Sequence, residues 1–508
     1  MNRTTLTFLA CTAALAAVTG LAAVTAPDAS EANDGTSTAA VRLPVERSSL
    51  LCPTPSTSDL AETTYTSFTP VTEGTDGDGK AELRPAAQKE TAGREESAEE
   101  KGEGEEKPDR AEKPVLEPKA PGTPVTGERT GGEAPALVGT AEGPFAPGWT
   151  VQATTEVSAG TGRGLLGVNC TAPDTEFWFP GASTAADRTD YVHLTNPDDS
   201  AAVVDIELYG KDGRLKSTVG EGITVPAHAT EPILLSTLSD EQQTDLTVHV
   251  GVRSGRIGAA VQALDDKAGG DWLAAAADPG SNLVLPGIPK DAKAVRLVLF
   301  TPGGTDADLK VRLASPSGLI TPAGHETVRV KAGTTTAVDL GDLTRGEAGS
   351  LVLTPTDRSV PVVAAVRVVR GEGADRETAF IPATGPIGAR ATSPDNRAKG
   401  TTLSVTAPED TAEIKVTASP GSEGGTAQSR TYTIKGGTTQ DVELPVPGGL
   451  KGTYALTLEP VSGGPVHASR TLAFPQDDVP SFTIQPLPDD RGTVSVPTAE
   501  EDLSVLQN

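Results

Sequence analysis

The 508-residue sequence is poor in aromatic residues and in positive charge. Phe, Trp and Tyr make up 3% of the chain, and 42 Lys and Arg stand against 69 Asp and Glu, which gives a formal net charge of −27. Nucleic-acid binding needs a basic face that displaces counterions from phosphates, so this charge argues against a nucleic-acid partner. Gly (55) and Pro (41) are plentiful instead. The composition favours β-rich, turn-rich domains with disordered stretches over a helical enzyme.

The motifs of common catalytic, cofactor and metal sites are also missing. None of the five histidines has a His or Cys neighbour at zinc-ligand spacing, and no Gly-x-Ser-x-Gly motif occurs. Residues 162–167 spell a dinucleotide-type glycine pattern, but residues 168–173 cannot open the helix that such a site needs. We therefore expect no cofactor, no metal and no catalytic residue, and we predict a protein that is not an enzyme.

One enzyme class stays open because carboxylates are abundant. A glycosidase needs only two of them, about 5–10 Å apart. Proteins that act on sugars usually also present aromatic platforms, and the tryptophans here are Trp149, Trp178 and Trp272. Trp178 lies in an aromatic run that suits a core or a sheet edge, whereas Trp272 follows Asp271 in a hydrophilic segment. Trp272 is therefore the candidate for an exposed contact with a ligand.

One long uncharged run lies near the N-terminus. It extends from Leu6 to Ala26, follows the positive Arg3 and ends in small residues. This pattern predicts a secretory signal peptide over residues 1–26, and retention as an N-terminal membrane anchor is the alternative. We expect a secreted or extracytoplasmic protein that meets the membrane only through this segment.

Because export would place the chain in an oxidising compartment, its cysteines are candidates for a disulfide. Only Cys52 and Cys170 lie beyond the predicted signal segment. Two cysteines in an exported chain suggest one disulfide, and each of these stands beside a strand-like run and is soon followed by a proline. We predict a Cys52–Cys170 bridge, with two free, buried thiols as the alternative.

Between these cysteines, residues 72–135 differ in composition from the rest of the chain. Glu, Lys, Gly and Pro dominate, and the sizeable apolar residues are Leu83, Val115, Leu116 and Val125. Such a segment buries too little apolar surface to offset its ordering entropy, so we predict a disordered insert. If Cys52 pairs with Cys170, this insert is a loop from one folded unit rather than a linker.

Apolar positions and turns repeat at an interval of about 105 residues. Residues 225–230, 330–335 and 434–439 match at offsets of 105 and 104. Matched runs alternate apolar and polar residues, as around Val204 and Ile206, and this period of two predicts half-buried strands. Three units that share apolar positions and turns at one spacing indicate a tandem duplication.

About seven short strands per unit, each with one apolar face, need a second sheet to cover those faces. We therefore predict an all-β chain with three tandem β-sandwiches of immunoglobulin-like or fibronectin-like size. The predicted domains are N-terminal strands at 41–71, further strands at 136–175, sandwiches at 176–285, 286–385 and 386–490, and a C-terminal tail at 491–508. The strands at 41–71 and 136–175 form a smaller fourth module or complete the first sandwich.

The ensemble resembles an exported actinobacterial family of unknown function. The resemblance is carried by the N-terminal apolar segment, by residues 50–53 (Leu-Leu-Cys-Pro), by Cys170 ahead of residues 178–181 (Trp-Phe-Pro-Gly) and by the repeated β units. It implies export and tandem β domains, and it assigns no activity and no catalytic residue.

These features predict an exported, non-enzymatic β-sandwich protein that serves in adhesion, as a scaffold or in envelope assembly. Its partner would be a protein or a cell-envelope glycan, bound by loops at sandwich ends or by exposed sheet edges. The alternative is an accessory factor or enzyme of cell-envelope carbohydrate, in which carboxylates and Trp272 line a groove.

Overall fold

The computed structural model describes residues 41–75, 77–88, 113–217, 219–475 and 479–496. Within these ranges the chain is all-β, with separate sheets of almost entirely antiparallel strands and no α-helix, which confirms the predicted fold class. Short 3₁₀ turns occur at Gly143–Phe145, Leu235–Thr237 and Gly373–Asp375. The predicted signal peptide or anchor at 1–26 lies outside the described residues, as does the tail from residue 497 onward.

The chain forms one small and one large compact unit. In the small unit, strand β1 (Val41–Pro44) pairs with the last strand of the chain (Thr493–Val496) as a two-stranded sheet. The large unit spans residues 44–493 and holds all the other described strands. These strands build four β-sandwiches, numbered I to IV in chain order.

Sandwich I contains the strands on both sides of residues 89–112, a segment that lies outside the described residues. Its strands are β2 (Arg47–Cys52), β3 (Ala61–Phe68), β4 (Ala81–Pro85), β5 (Ala87–Gln88), β6 (Val125–Thr130), β7 (Leu137–Glu142), β8 (Thr150–Val157) and β9 (Gly164–Asn169). One sheet has the order β2–β7–β4 and the other β6–β3–β8–β9, while β5 pairs in parallel with an edge strand of sandwich II.

Sandwich II follows directly. Its strands are β10 (Glu176–Ala182), β11 (Arg188–Thr195), β12 (Ala202–Gly210), β13 (Gly213–Arg214), β14 (Ile223–Val225), β15 (Ala229–Leu234), β16 (Leu246–Ser254), β17 (Gly258–Asp265) and β18 (Gly269–Leu273). Along β12 the side chains of Val204, Ile206 and Leu208 are buried while Asp205 and Glu207 face outward, as the alternation predicts.

Sandwich III repeats the same sequence of strands. They are β19 (Leu283–Ile288), β20 (Ala294–Phe300), β21 (Ala307–Ser315), β22 (Gly318–Ile320), β23 (Thr327–Val330), β24 (Thr335–Gly341), β25 (Gly349–Pro355), β26 (Val363–Arg370) and β27 (Glu377–Pro382).

Sandwich IV repeats the same series, with one additional strand. The strands are β28 (Ala391–Asn396), β29 (Thr401–Ala407), β30 (Ala412–Gly421), β31 (Gly424–Thr426), β32 (Gln428–Ile434), β33 (Thr438–Val442), β34 (Gly448–Lys451), β35 (Tyr454–Gly463), β36 (His467–Ala473) and β37 (Phe482–Pro486). The additional strand is β34, which pairs with the hairpin strand β31 of the same sandwich.

All four sandwiches share one topology. Sheet A holds the first strand of each sandwich, in the orders β2–β7–β4, β10–β16–β12, β19–β25–β21 and β28–β35–β30. Sheet B ends in the last strand of each sandwich, in the orders β9–β8–β3–β6, β18–β17–β11–β15, β27–β26–β20–β24 and β37–β36–β29–β33. The N-terminal strands therefore form a fourth copy of the repeated unit.

Contacts between the sandwiches close a cycle, which we call the ring. The first strand of each sandwich packs on sheet B of the next: β2 on β17, β10 on β20 and β26, β19 on β29 and β36, and β28 on β3 and β8. The last strands also meet in order, β9 with β18, β18 with β27, β27 with β37 and β37 with β9. Sandwich IV thus contacts sandwich I without a direct chain connection.

The predicted disordered insert at 72–135 is wrong for its described parts. Residues 81–85, 87–88 and 125–130 form strands, and Leu83 and Leu116 are buried in the core of sandwich I. Few apolar residues suffice here because each one fills a place in a core that the flanking strands supply. The remaining residues, 89–112, lie outside the described residues.

Candidate functional site

The centre of the ring is formed by the last strands of the four sandwiches. Each of β9, β18, β27 and β37 is the edge of its sheet B, so part of its backbone lacks a ladder partner. Unpaired backbone groups at a buried edge are costly unless other groups satisfy them. Polar side chains from neighbouring sandwiches fill that role at this position, and two of them, Asp271 and Glu377, are buried carboxylates.

Asp271 on β18 joins three sandwiches. Its carboxylate accepts hydrogen bonds from the backbone N–H of Gly167 on β9 (3.0 Å) and from Oγ1 of Thr483 on β37 (3.0 and 3.1 Å to the two carboxylate oxygens). The side chain is fully buried, and burial raises the pKa of Asp271 well above its ordinary value despite these bonds. A glycine at 167 allows this approach, because a Cβ there would clash with Thr483.

Glu377 on β27 forms the second link. Its carboxylate accepts a hydrogen bond from the backbone N–H of Phe482 on β37 (3.0 Å). Burial raises the pKa of Glu377 to about 7, although Arg163 and Arg370 oppose the shift. The nearby charge of Glu377 also raises the pKa of Asp271, so the two carboxyl groups disfavour each other's ionisation.

Two neighbouring carboxyl groups with raised pKa values can serve as the acid and the base in catalysis. Here the geometry gives them another role. Asp271 has no exposed surface and Glu377 is 3% exposed, and both accept hydrogen bonds from groups of other sandwiches. A polysaccharide cannot reach a pair buried in this way, so we assign these two side chains to holding the ring together.

A second buried polar cluster closes the ring between sandwiches IV and I. The guanidinium of Arg470 donates to Oε1 of Gln152 on β8 (2.8 Å) and to Oγ of Ser393 (3.3 Å). The carboxylate of Asp395 accepts hydrogen bonds from Oγ1 of Thr154 on β8 (2.7 Å) and of Thr453 (2.9 Å). Polar side chains therefore make the one junction that lacks a direct chain connection.

The electrostatics of this cluster follow from its burial. Desolvation lowers the pKa of Arg470 to about 10, against the opposing charge of Asp395. For Asp395, desolvation raises the pKa, but the charges of Arg397 and Arg470 and the threonine hydrogen bonds outweigh it, so the pKa is lowered. Both groups therefore stay charged at neutral pH, and the ion-pair partner of Asp395 is Arg397.

Of the site residues that the sequence singled out, the structure places two as predicted. Cys52 at the end of β2 and Cys170 just after β9 form a disulfide, which confirms the predicted bridge. It joins the two parts of sandwich I on either side of residues 89–112. That segment is therefore an insertion into one folded unit, as the pairing implied.

The prediction that Trp272 is an exposed contact is wrong. Its side chain is 2% exposed and packs in the core of sandwich I with Cys52, Tyr65 and Leu166. The polar residues beside it in the sequence look like a loop, but they belong to the edge strand β18, in which Trp272 lies in the core of sandwich I and Leu273 in the core of sandwich II. Trp149 and Trp178 are buried as well.

Neither buried cluster was identified from the sequence. Asp271 and Glu377 lie in strands whose other residues are apolar or small, and a carboxylate in such a strand is the signal that could have marked them. Their partners lie more than a hundred residues away in the chain, so no local pattern shows which groups they meet.

Within the described residues, no group of three or more His, Cys, Asp and Glu side chains could hold a metal ion. His193 and His467 are buried, and desolvation lowers the pKa of each to about 4. The described part of the chain also has no helix of the length and hydrophobicity that crossing a membrane requires.

Comparison with known proteins gives a family and no activity. No curated protein matches the sequence. The model of a family of unknown function (DUF5719) matches residues 125–445, which run from β6 in sandwich I to just beyond β33 in sandwich IV. The match covers more than half of the chain and confirms the expected resemblance to such a family. The chain therefore belongs to this family of unknown function, DUF5719.

Proposed function

We propose that the protein is a non-enzymatic extracytoplasmic scaffold whose ring of four sandwiches holds binding loops and strand edges in fixed positions. The observation that carries the proposal is the use of buried polar groups: Asp271, Glu377 and Arg470 all join one sandwich to another. Binding sites on loops depend on a rigid framework that positions them. Directional hydrogen bonds between sandwiches supply such a framework.

Two features support a location outside the cytoplasm. The uncharged segment ending at Ala26 has the pattern of an export signal. The disulfide between Cys52 and Cys170 belongs to the chemistry of oxidising compartments. A protein held in the envelope, with a partner that its loops recognise, is consistent with both.

The alternative function, an enzyme or accessory factor of envelope carbohydrate, depended on an exposed Trp272. The proposed groove relied on Trp272, which is buried. The buried pair of Asp271 and Glu377 is closed to a polymer. We therefore propose a protein partner rather than a glycan.

Crosslinking of the full chain in its native envelope fraction, followed by mass spectrometry, tests the proposal. We expect one reproducible protein partner, and we expect Arg470→Ala, which loosens the ring, to lose it. Arg430→Ala is the matched control because Arg430 pairs with Glu443 on the exposed surface of the same sandwich. Saturable binding to wall polysaccharide without a protein partner, or turnover of that polysaccharide by the purified chain, would contradict the proposal.

A further inference from the structure

The edge strand β32 of sheet A in sandwich IV is longer than its counterparts. It pairs with β30 over seven residues, whereas the equivalent β14 and β23 pair with their neighbours over three and four. In sandwich III the irregular segment 321–326 precedes this strand, and in sandwich IV only Ala427 does. The Thr, Tyr and Ile residues of β32 favour an extended chain. The last repeat therefore builds strand where the preceding one has a loop.

One long side of β32 is open to solvent. The strand pairs with β30, and no other described strand pairs with its outer side. Five of its seven side chains are exposed, and no backbone hydrogen bond joins the outer side to another described segment. A row of free backbone N–H and C=O groups is a template for a further antiparallel strand.

β32 has few of the features that keep edge strands from pairing. It contains no proline, and its register with β30 runs without a bulge. Its one charged residue is Arg430, whose guanidinium donates to Glu443 of the same sandwich (2.6 Å). The edge strand β6 of sandwich I, by contrast, carries the two charges of Glu128 and Arg129. Proline, bulges and charges are the usual protection of an edge, so β32 is open to pairing.

The hydroxyl side chains of β32 suit a second copy of the same strand. In an antiparallel pair centred on Thr431, each Thr431 lies opposite its copy, and Ser429 lies opposite Thr433. Hydroxyl pairs of this kind already join β30 to β32, where Oγ1 of Thr417 lies 2.9 Å from Oγ of Ser429. Such cross-strand pairs stabilise a sheet.

The same register keeps like charges apart. Arg430 lies opposite Tyr432 of the second strand, and Gln428 lies opposite Ile434. A register centred on Arg430 would place two guanidinium groups opposite each other, which destabilises a strand pair. The charge of the strand therefore favours the register centred on Thr431.

We propose that two copies of the chain associate through β32, antiparallel about a two-fold axis at Thr431, so that their two sheets A of sandwich IV become one sheet. This pairing satisfies the outer backbone groups of both strands, and because it is isologous it closes as a dimer. A single strand pair buries little area, so the association is reversible and depends on concentration. The dimer goes beyond the scaffold function, and neither depends on the other.

Sedimentation velocity of the full chain over a series of concentrations tests the proposal. We expect a reversible monomer–dimer equilibrium. Thr431→Lys places two ammonium groups opposite each other at the axis, so it should weaken dimerisation about tenfold or more. Thr126→Lys is the matched control, because Thr126 is exposed on the edge strand β6 of sandwich I, and it should leave the equilibrium unchanged.

Cysteine crosslinking tests the register. Residues directly opposite each other in an antiparallel pair have Cα atoms about 4.5–5.5 Å apart, within reach of a disulfide. Thr431→Cys should therefore form a covalent dimer under mild oxidation, whereas Thr433→Cys, roughly 14 Å from its copy, should not. A mixture of Ser429→Cys and Thr433→Cys should form a mixed dimer. The wild-type chain in the same oxidant is the control for the cysteines that it already contains.

Three results would each overturn the proposal. They are a wild-type chain that stays monomeric at every concentration, equal dimerisation of Thr431→Lys and the wild-type chain, and crosslinking of Thr433→Cys as readily as of Thr431→Cys. A monomeric chain in which Thr431→Lys loses a crosslinked protein partner would assign the edge to that partner instead of a second copy. Thermal unfolding verifies the fold of each variant, and if Thr431→Lys does not fold, the concentration series and the cysteine variants decide.

Discussion

Two junctions of the ring use the same architecture with a different balance of apolar and polar contacts. Between sandwiches II and III, Trp178 on β10 stacks on Phe300 of β20 with ring centroids 5.4 Å apart, and Tyr209 lies 4.6 Å from the same Phe300 ring. Val363 completes this small apolar cluster. The junction combines this aromatic burial with polar bonds, in which the partly exposed Arg296 donates to Asp245 and Thr335 donates to the carbonyl of Tyr209.

Between sandwiches IV and I, the position equivalent to Trp178 is an arginine. Trp178 directly precedes Phe179, which pairs with Val248, and Arg390 directly precedes Ala391, which pairs with Leu458, the matching residue of the repeat. The guanidinium of Arg390 donates to Oγ1 of Thr72 (3.2 Å) and to the carbonyl of Pro147 (3.3 Å), both in sandwich I. Arg470 and Asp395 add the buried network of the same junction.

The difference follows from connectivity. Sandwiches II and III are joined by the short chain segment between β18 and β19, which by itself keeps their surfaces close together. Sandwiches IV and I are separated by the whole length of the large unit, and their junction must select one register among many. Apolar burial is non-directional, whereas buried hydrogen bonds fix a single arrangement. We infer that the polar network specifies the closure of the ring.

Removal of the disulfide is expected to lower the free energy of unfolding most, because it loosens sandwich I and with it the junction between sandwiches IV and I. Cys52 and Cys170 are 118 residues apart, and a bridge over a loop of this length stabilises by about 4–5 kcal/mol in chain-entropy models. Urea unfolding of Cys52→Ser/Cys170→Ser should show a loss of this size. The wild-type chain under reductant is the control, and an unchanged midpoint in both would refute the prediction.

The same comparison shows how far the sequence predicts the structure. Alternating residues such as Val204 and Ile206 predict strands because the side chain's face is set locally, every second residue. The repeat of about 105 residues does not extend clearly to sandwich I, because the insertion lengthens the sequence separation between equivalent strands. Thr126 and Thr230 are equivalent and 104 residues apart, but their strand partners Thr66 and Thr195 are 129 apart.

The site was beyond prediction for a related reason. Asp271 and Thr483 meet only because the ring closes, and closure depends on contacts between sandwiches rather than on any local pattern. Trp272 was misplaced by the same limit, since its neighbours Gly270 and Asp271 look like a loop until a second sandwich covers them. Strand content is local information in this protein, and burial at the ring centre is not.

Arg470→Ala should break the polar junction directly. The substitution leaves Gln152 and Ser393 without the buried donor that they share, and leaving a buried acceptor unsatisfied costs about 1–3 kcal/mol for each bond lost. Hydrogen exchange should then show faster exchange in β8 and β28 than in β10 and β20. Arg430→Ala, which removes an exposed ion pair with Glu443 in the same sandwich, should cost less than about 1 kcal/mol. Equal costs for the two variants would contradict our assignment.

The junction between sandwiches III and IV contains the buried Glu377, and its contribution to stability should depend on pH. Its pKa is raised from 4.5 to about 7 in the folded chain, mainly by burial. The folded chain therefore binds more protons than the unfolded chain between these values, so the free energy of unfolding falls as pH rises from about 4.5 to 7 and levels off above. The difference between the two pKa values corresponds to about 3 kcal/mol.

Glu377→Gln should remove this pH dependence, because the amide oxygen still accepts the hydrogen bond from Phe482 and no charge forms. At pH 8 we expect the variant to be more stable than the wild-type chain by up to about 3 kcal/mol. The buried His193 and His467 titrate with the opposite sign, but both proteins contain them, so their contribution cancels in the difference. Parallel stability curves for the two proteins between pH 4.5 and 8 would exclude the predicted role.

Trp178→Leu should have the smallest effect, because an apolar junction can partly repack. Leucine retains burial against Phe300 and Val363 but loses the ring contacts with Phe300 and His249, so we expect a loss of about 2 kcal/mol. The ring should stay closed, with hydrogen exchange in β28 and β8 unchanged. If Trp178→Leu opened the junction between sandwiches IV and I as Arg470→Ala is expected to, the aromatic junction would also control closure. In that case the buried polar network would not be the feature that gives the junction between sandwiches IV and I its special role in closing the ring.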